Sequence, residues 1–175
     1  MVVVVPMKII FLDVDYVLNY EFSKTRIDGY LFVEDSKIEL LKQLIEHTEG
    51  KIVLSSTWRF GWVYMDAPVP ENDAYRQREI RHFIALRDKL QEFGLELLDR
   101  TPVSAEDDRG KEIDEWLRKW DGEPIESFVI LDDMNGKYLR PHSNRLIRTS
   151  ARKGLEQKHV DLAVKILNKP YIEKT

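Results

Sequence analysis

The chain has 175 residues, 43% of them hydrophobic and 33% charged, a composition expected of a soluble globular domain rather than a disordered or membrane-embedded chain. Lys plus Arg number 27 against 31 Asp plus Glu, so the net charge of −4 gives no chain-wide attraction to nucleic acid or to an anionic membrane. There is no Cys, which removes disulfide frameworks, thiolate zinc sites, iron–sulfur clusters and Cys nucleophiles together and fits a reducing, cytoplasmic location.

Residues 1–7 read as a leader, with Val2 to Val5 ahead of Pro6. The apolar stretch from Met1 to Val14 is too short to span a membrane, is broken by Pro6 and Lys8, and contains Asp13. Lys8 to Leu12 has the apolar run of a buried parallel strand, and residues 16–35 follow as an irregular flap. Ser36 with Glu39 predicts a capping box for a helix that carries Ile38, Leu41, Leu44 and Ile45 on one face and stops at Gly50. Lys51 to Leu54 is a second strand, and Phe60 to Asp73 is an insertion near the site containing Trp62, Tyr64, Pro68 and Pro70, either a segment packed on its neighbours or a rim over the crevice on which a ring could stack. A helix over Ala74 to Phe93 turns Ile80, Phe83, Ile84 and Leu90 inward and ends at Gly94. There follow a strand at Leu95 to Leu98, a helix at Arg109 to Trp120, a buried strand at Phe128 to Leu131, a weaker strand at Arg145 to Arg148 and a helix at Glu156 to Asn168.

Alternating strands and helices predict one α/β domain over 1–175, a three-layer Rossmann-like parallel sheet with helices on both faces. Such sheets bind ligands beyond the carboxyl ends of their strands. Asp13 and Asp15 follow the first strand, Ser55, Ser56 and Thr57 the second, and Asp132 and Asp133 the strand at 128–131. Each group taken alone also serves as a turn or helix cap. Four carboxylates gathered in one crevice, however, repel one another unless a cation holds them, and oxygen ligands without His or Cys favour Mg²⁺. Magnesium shares phosphate oxygens readily, so the hydroxyls become phosphate donors, and Lys111, with Arg109 as its rival, supplies a positive partner at a helix N-terminus.

The stretches from Ile9 to Asn19 and from Leu54 to Arg59, with Arg109 to Leu117 and Ile130 to Asp133, occur in the order found in the haloacid dehalogenase-like (HAD) phosphohydrolases. They most resemble the HAD domain associated with Swiss Army Knife RNA repair proteins. That resemblance implies a Mg²⁺-dependent phosphatase in which Asp13 is the nucleophile and Asp15 the general acid and base. It implies that Ser56, with Ser55 one residue away, holds phosphate and that Thr57 adds a backbone amide. Lys111 or Arg109 would stabilise the transferring group. The implied metal ligands are Asp13, the Asp15 carbonyl, Asp133 and, through water, Asp132. Tyr16 departs from the family, which commonly carries Gly there. With room for neither cap insertion, the domain is expected to be capless and open to large substrates, a nucleic-acid end or a protein.

Met134 to Leu155 contains Lys137, Arg140, Arg145, Arg148, Arg152 and Lys153 and no acidic residue between Asp133 and Glu156, a patch that either steers a polyanion or is an ordinary solvated face. His47, His82, His142 and His159 have no metal-ligand spacing, and Trp116 with Trp120 reads as core. Competing functions are a receiver-like phosphoacceptor, a non-catalytic nucleic-acid-binding module and a Toprim-like metal-dependent nuclease, though the last normally has Glu where Asp13 stands.

Overall fold

A computed structural model describes residues 4–171. Part of the leader expected over 1–7 therefore lies outside the described residues; 4–6 have no regular structure, and Met7 already belongs to the first strand. That strand, β1 (Met7–Leu12), is the centre of a five-stranded parallel sheet. β4 (Lys51–Leu54) and β5 (Leu97–Arg100) lie on one side of it, β6 (Ile125–Asp132) and β7 (Leu146–Arg148) on the other. Ile9 to Leu12 are fully buried because β1 has a strand on each edge and a layer on each face, which is why this segment is apolar without alternation.

Both faces are covered, as the alternation of elements requires. One carries α1 (Asp35–Thr48), α3 (Ala74–Glu92) and α5 (Gln157–Leu167), whose Leu41, Leu86 and Ala163 join Ile10, Leu12 and Leu131 in one core. The other carries α4 (Arg109–Lys119), whose Ile113 and Trp116 pack with Phe11, Val53 and Phe128. Trp120 stacks on Trp116 at 4.9 Å at the edge of that core. No large cap domain interrupts this layout among the described residues.

Several local expectations are corrected. The Ser36–Glu39 capping box does not form: α1 starts two residues earlier, after Glu34, whose carboxylate instead accepts from the Lys24 and Thr25 amides across the flap. Glu49, at φ 57°, ends that helix, one residue before Gly50. The strand expected from Leu95 begins at Leu97, because the Leu95 amide is used up closing α3 onto the Leu90 carbonyl. The inward face of α3 is His82, Phe83, Leu86 and Leu90, with Ile80 and Ile84 only half buried.

The flap is not irregular throughout. It holds a small hairpin of β2 (Arg26–Ile27) and β3 (Tyr30–Leu31), in which Ile27 pairs with Tyr30 around Asp28-Gly29, both at positive φ (48° and 83°). This is the two-residue turn that Asp-Gly favours, a signal present in the sequence. The segment 60–73 likewise is no stacking rim. It begins as α2 (Arg59–Met65), which lies on α3 with Trp62 stacked on Phe83 at 5.1 Å. Gly61 makes that contact possible, since a Cβ there would come within 2.1 Å of the Glu79 carbonyl.

Candidate active site

The ends of β1 and β6 bring three carboxylates together. The Asp13 amide donates to the Leu131 carbonyl at 2.9 Å, which fixes Asp13 beside Asp132, the last residue of β6. One oxygen each of Asp13, Asp132 and Asp133 lies within 4.8 Å of the others. Asp13 and Asp132 are buried and Asp133 half buried. Burial pushes the Asp13 carboxyl up to about 7; Arg109 works against this and Asp132 adds to it. Asp133 is raised by the same two causes, burial and the Asp132 charge.

Arg109, at the first position of α4, is the cation of this cluster. Its Nη1 donates to Asp132 at 2.6 Å and pairs with Asp13 at 3.2 Å. Asp108 caps the helix by accepting from the Lys111 amide at 3.1 Å, and Arg109 is the first residue after that cap. Gly110 allows the approach, because a Cβ there would stand 2.1 Å from the Tyr138 carbonyl. Lys111, the residue favoured from sequence, is not brought to the cluster: two positions further round the helix its ammonium is exposed and paired with Glu106. One guanidinium against three carboxylates leaves net negative charge in a mostly buried, oxygen-only site, and such a donor set fits Mg²⁺.

After β4, Ser55 and Ser56 point differently. The Ser56 hydroxyl accepts from the Trp58 amide at 3.3 Å and lies near enough to Asp13 to oppose the rise in its pKa, whereas the Ser55 hydroxyl is buried without a partner among the described residues. The loop is held from behind by Arg59, a residue the sequence motif contained but to which no role was given. Fully buried, it donates to the Ser56 carbonyl at 2.9 Å, the Ser55 carbonyl at 3.2 Å and Glu112 of α4 at 2.7 Å. Its pairing thus ties the Ser55–Ser56 loop to the helix that carries Arg109. Arg59 and Glu112 lie 53 positions apart, and only their meeting across the fold identifies them.

Asp15 stands outside the three-carboxylate group. Its two oxygens accept from Asn19 Nδ2 at 2.9 Å and from the Trp58 indole Nε1 at 3.0 Å. Tyr16 follows at φ 60°, the left-handed region in which Gly is the unstrained residue, and is held there by its amide on Asn19 Oδ1 and its carbonyl on the Thr149 hydroxyl, both 2.7 Å. Thr57 and Asp15 share the wall of a cavity of about 320 Å³.

The basic segment loses one expected member. Arg145 is buried, donates to Ser127 Oγ at 2.7 Å and packs on Phe128 and Tyr171. Ser127 lies five residues before Asp132 in β6, roughly 16 Å along an extended strand, so this guanidinium braces the end of the sheet remote from the site. His142 packs on Phe128 and bonds Asp114 at 2.6 Å, a structural role of the kind expected.

A parallel sheet in the order β5-β4-β1-β6-β7, with acidic pairs after β1 and at the end of β6 and hydroxyls after β4, defines a HAD-like α/β domain. The chain belongs to the family described as the HAD domain in Swiss Army Knife RNA repair proteins, whose model matches residues 9–160. Comparison with curated proteins and with solved structures gives no match. Family membership indicates phosphohydrolase chemistry in general terms. No helix among the described residues is long and apolar enough to cross a membrane.

Proposed function

We propose that the protein is a Mg²⁺-dependent phosphatase that hydrolyses a phosphomonoester through an aspartyl-phosphate on Asp13. The observation that carries this reading is the convergence of Asp13, Ser56, Arg109 and the Asp132–Asp133 pair from four separate chain segments onto one strand-end crevice. In the first step an Asp13 oxygen attacks phosphorus, the ester P–O bond breaks, and Asp15 gives its proton to the departing oxygen. In the second, Asp15 takes a proton from water as that water attacks phosphorus, the Asp13–phosphorus link breaks, and inorganic phosphate leaves. The Ser56 hydroxyl and the Thr57 amide hold the phosphoryl oxygens. Arg109 takes the role first given to Lys111, offsetting charge on the transferring group while keeping Asp13 and Asp132 in register. Asp13, the Asp15 carbonyl and Asp133, with Asp132 behind them, would hold Mg²⁺, which when bound neutralises charge on the phosphoryl oxygens.

The family's description associates it with RNA repair, and a phosphorylated nucleic-acid end is therefore the substrate proposed. The test is release of inorganic phosphate from 3′- and 5′-phosphorylated oligonucleotides and from a small aryl phosphate, with and without Mg²⁺. Release is expected to be abolished by chelation, restored by added Mg²⁺, and absent in Asp13→Asn protein whose circular dichroism is unchanged. Full activity of Asp13→Asn would remove the mechanism.

A further inference from the structure

The cavity beside Asp15 has a construction that the phosphoryl chemistry does not use. Trp58 lines it, its largely buried ring 5.6 Å from that of His82 and 6.0 Å from that of Phe32, and so does Tyr30 at the start of β3, its ring 5.7 Å from His82. Arg78 and Glu79 of α3 complete the wall. Arg78 lies 5.1 Å over the Tyr30 ring, donates to the Tyr30 hydroxyl at 3.1 Å and pairs with Glu79 at 2.9 Å. The hairpin bearing Tyr30 is pinned to α3 by Asp28, which accepts from Arg81 and meets His82, each at 3.0 Å. The cavity is thus already formed, with aromatic rings in its lining and one cation and one carboxylate paired at its edge.

Three properties select its occupant. Aromatic walls favour a flat ring over a sugar, and stacking tolerates any base. The Glu79 carboxylate and the Arg78 guanidinium offer an acceptor and donors at the ring's edge, which a nucleobase can meet and a phenyl ring cannot. A volume of about 320 Å³ is at the small end for ligand pockets and holds one nucleotide rather than several. The indole that forms the wall also donates to Asp15, so a ring lying on Trp58 belongs to the group whose oxygen Asp15 would protonate.

We infer that this cavity binds the base of a single terminal nucleotide, with Trp58 and Tyr30 as its stacking surfaces, so that the enzyme recognises one nucleoside monophosphate unit and not a length of polymer. The inference rests on the phosphatase reading for the position of the phosphate, and identifies the leaving group. The experiment measures binding of 3′- and 5′-nucleoside monophosphates, ribose 5-phosphate and phosphotyrosine to Asp13→Asn protein with Mg²⁺ by calorimetry, alongside phosphate release from the same compounds by the parent chain.

Nucleotides are expected to bind about ten- to a hundredfold more tightly than ribose 5-phosphate. Introducing Tyr30→Ala should reduce that preference to within about threefold, whereas Tyr30→Phe, which keeps the ring and loses the bond to Arg78, should retain most of it. Equal affinity for nucleotide and ribose 5-phosphate, preference for phosphotyrosine, no binding of any compound, or a preference indifferent to Tyr30→Ala would each overturn the inference. Base-selective binding without phosphate release would leave the pocket assigned and remove the phosphatase reading; release from every compound without selectivity would do the reverse.

Discussion

A carboxylate of the kind found at Asp13 would be ordinary on a surface; its chemistry here comes from burial between β1 and β6 with a single guanidinium in reach. Two residues in the same turn of α4 differ sharply as a result. Arg109→Ala should lower phosphate release by at least about a hundredfold, the usual effect of removing a preorganised charge partner, whereas Lys111→Ala should stay within about twofold. Steady-state kinetics on both variants checks this, and the reverse order would return the role to Lys111. Sequence spacing made both candidates; the difference lies in their tertiary contacts, Arg109 meeting Asp13 and Asp132 while Lys111 pairs with Glu106. At Trp58, replacement by Phe keeps a stacking ring but removes the indole donor to Asp15. The expected outcome is a kcat lowered roughly tenfold, the size of a hydrogen bond to a charged group, with nucleotide affinity nearly unchanged.

Elements meet through a few buried polar contacts whose removal should be felt as stability. Arg59 and Glu112 are both almost wholly inaccessible, with side chains 1% and 2% exposed, so neither charge has water to fall back on. Arg59→Ala should destabilise by roughly 3–5 kcal/mol because it strands Glu112, while Arg59→Met combined with Glu112→Leu should cost clearly less than the two single changes summed. Urea unfolding of the four proteins measures the coupling. At α5 the Glu156 amide donates to His159 Nδ1 at 3.0 Å, which requires the ring to be unprotonated there, and burial lowers the His159 pKa from its ordinary 6.5. The folded state therefore takes up a proton less readily than the unfolded chain. Its contribution is complete above pH 6.5 and is lost as pH falls below that value toward the folded pKa. His159→Gln keeps an acceptor at the same helical position without a titrating ring. Its melting temperature relative to the parent chain should rise as pH is lowered from about 7.5 to about 5, by an amount corresponding to about 1 kcal/mol, the size of a helix cap.

Considered as a whole, the molecule has an acidic balance, a basic stretch that surrenders Arg145 to the interior, and an aromatic cavity beside Asp15. The terminal-nucleotide proposal implies a protein that holds one end and does not run along a strand. Binding of a phosphorylated oligonucleotide to the Asp13→Asn protein should show a slope of log affinity against log salt near −1, as expected for one or two phosphates, and not the slope of about −4 that six phosphate contacts would give on a single strand. Titration at several salt concentrations decides between them, and the steep slope would reinstate a polyanion-binding face.

By itself the sequence determined the fold class and the chemical groups of the site. The unbroken apolar strands, the alternation with helical periods and the acidic and hydroxyl residues just beyond strands are local patterns, and a parallel sheet leaves them one place to converge. What only the tertiary structure decided were the placements of neighbours and the contacts between distant segments: Arg109 and not Lys111 beside the carboxylates, Arg59 against Glu112, Arg145 turned inward, and Tyr30 and Trp58, 28 positions apart, lining one cavity. These depend on how a helix is rotated and how closely two elements approach. Backbone contacts such as those at Gly110 and Gly61 set both, and no period in the sequence encodes them.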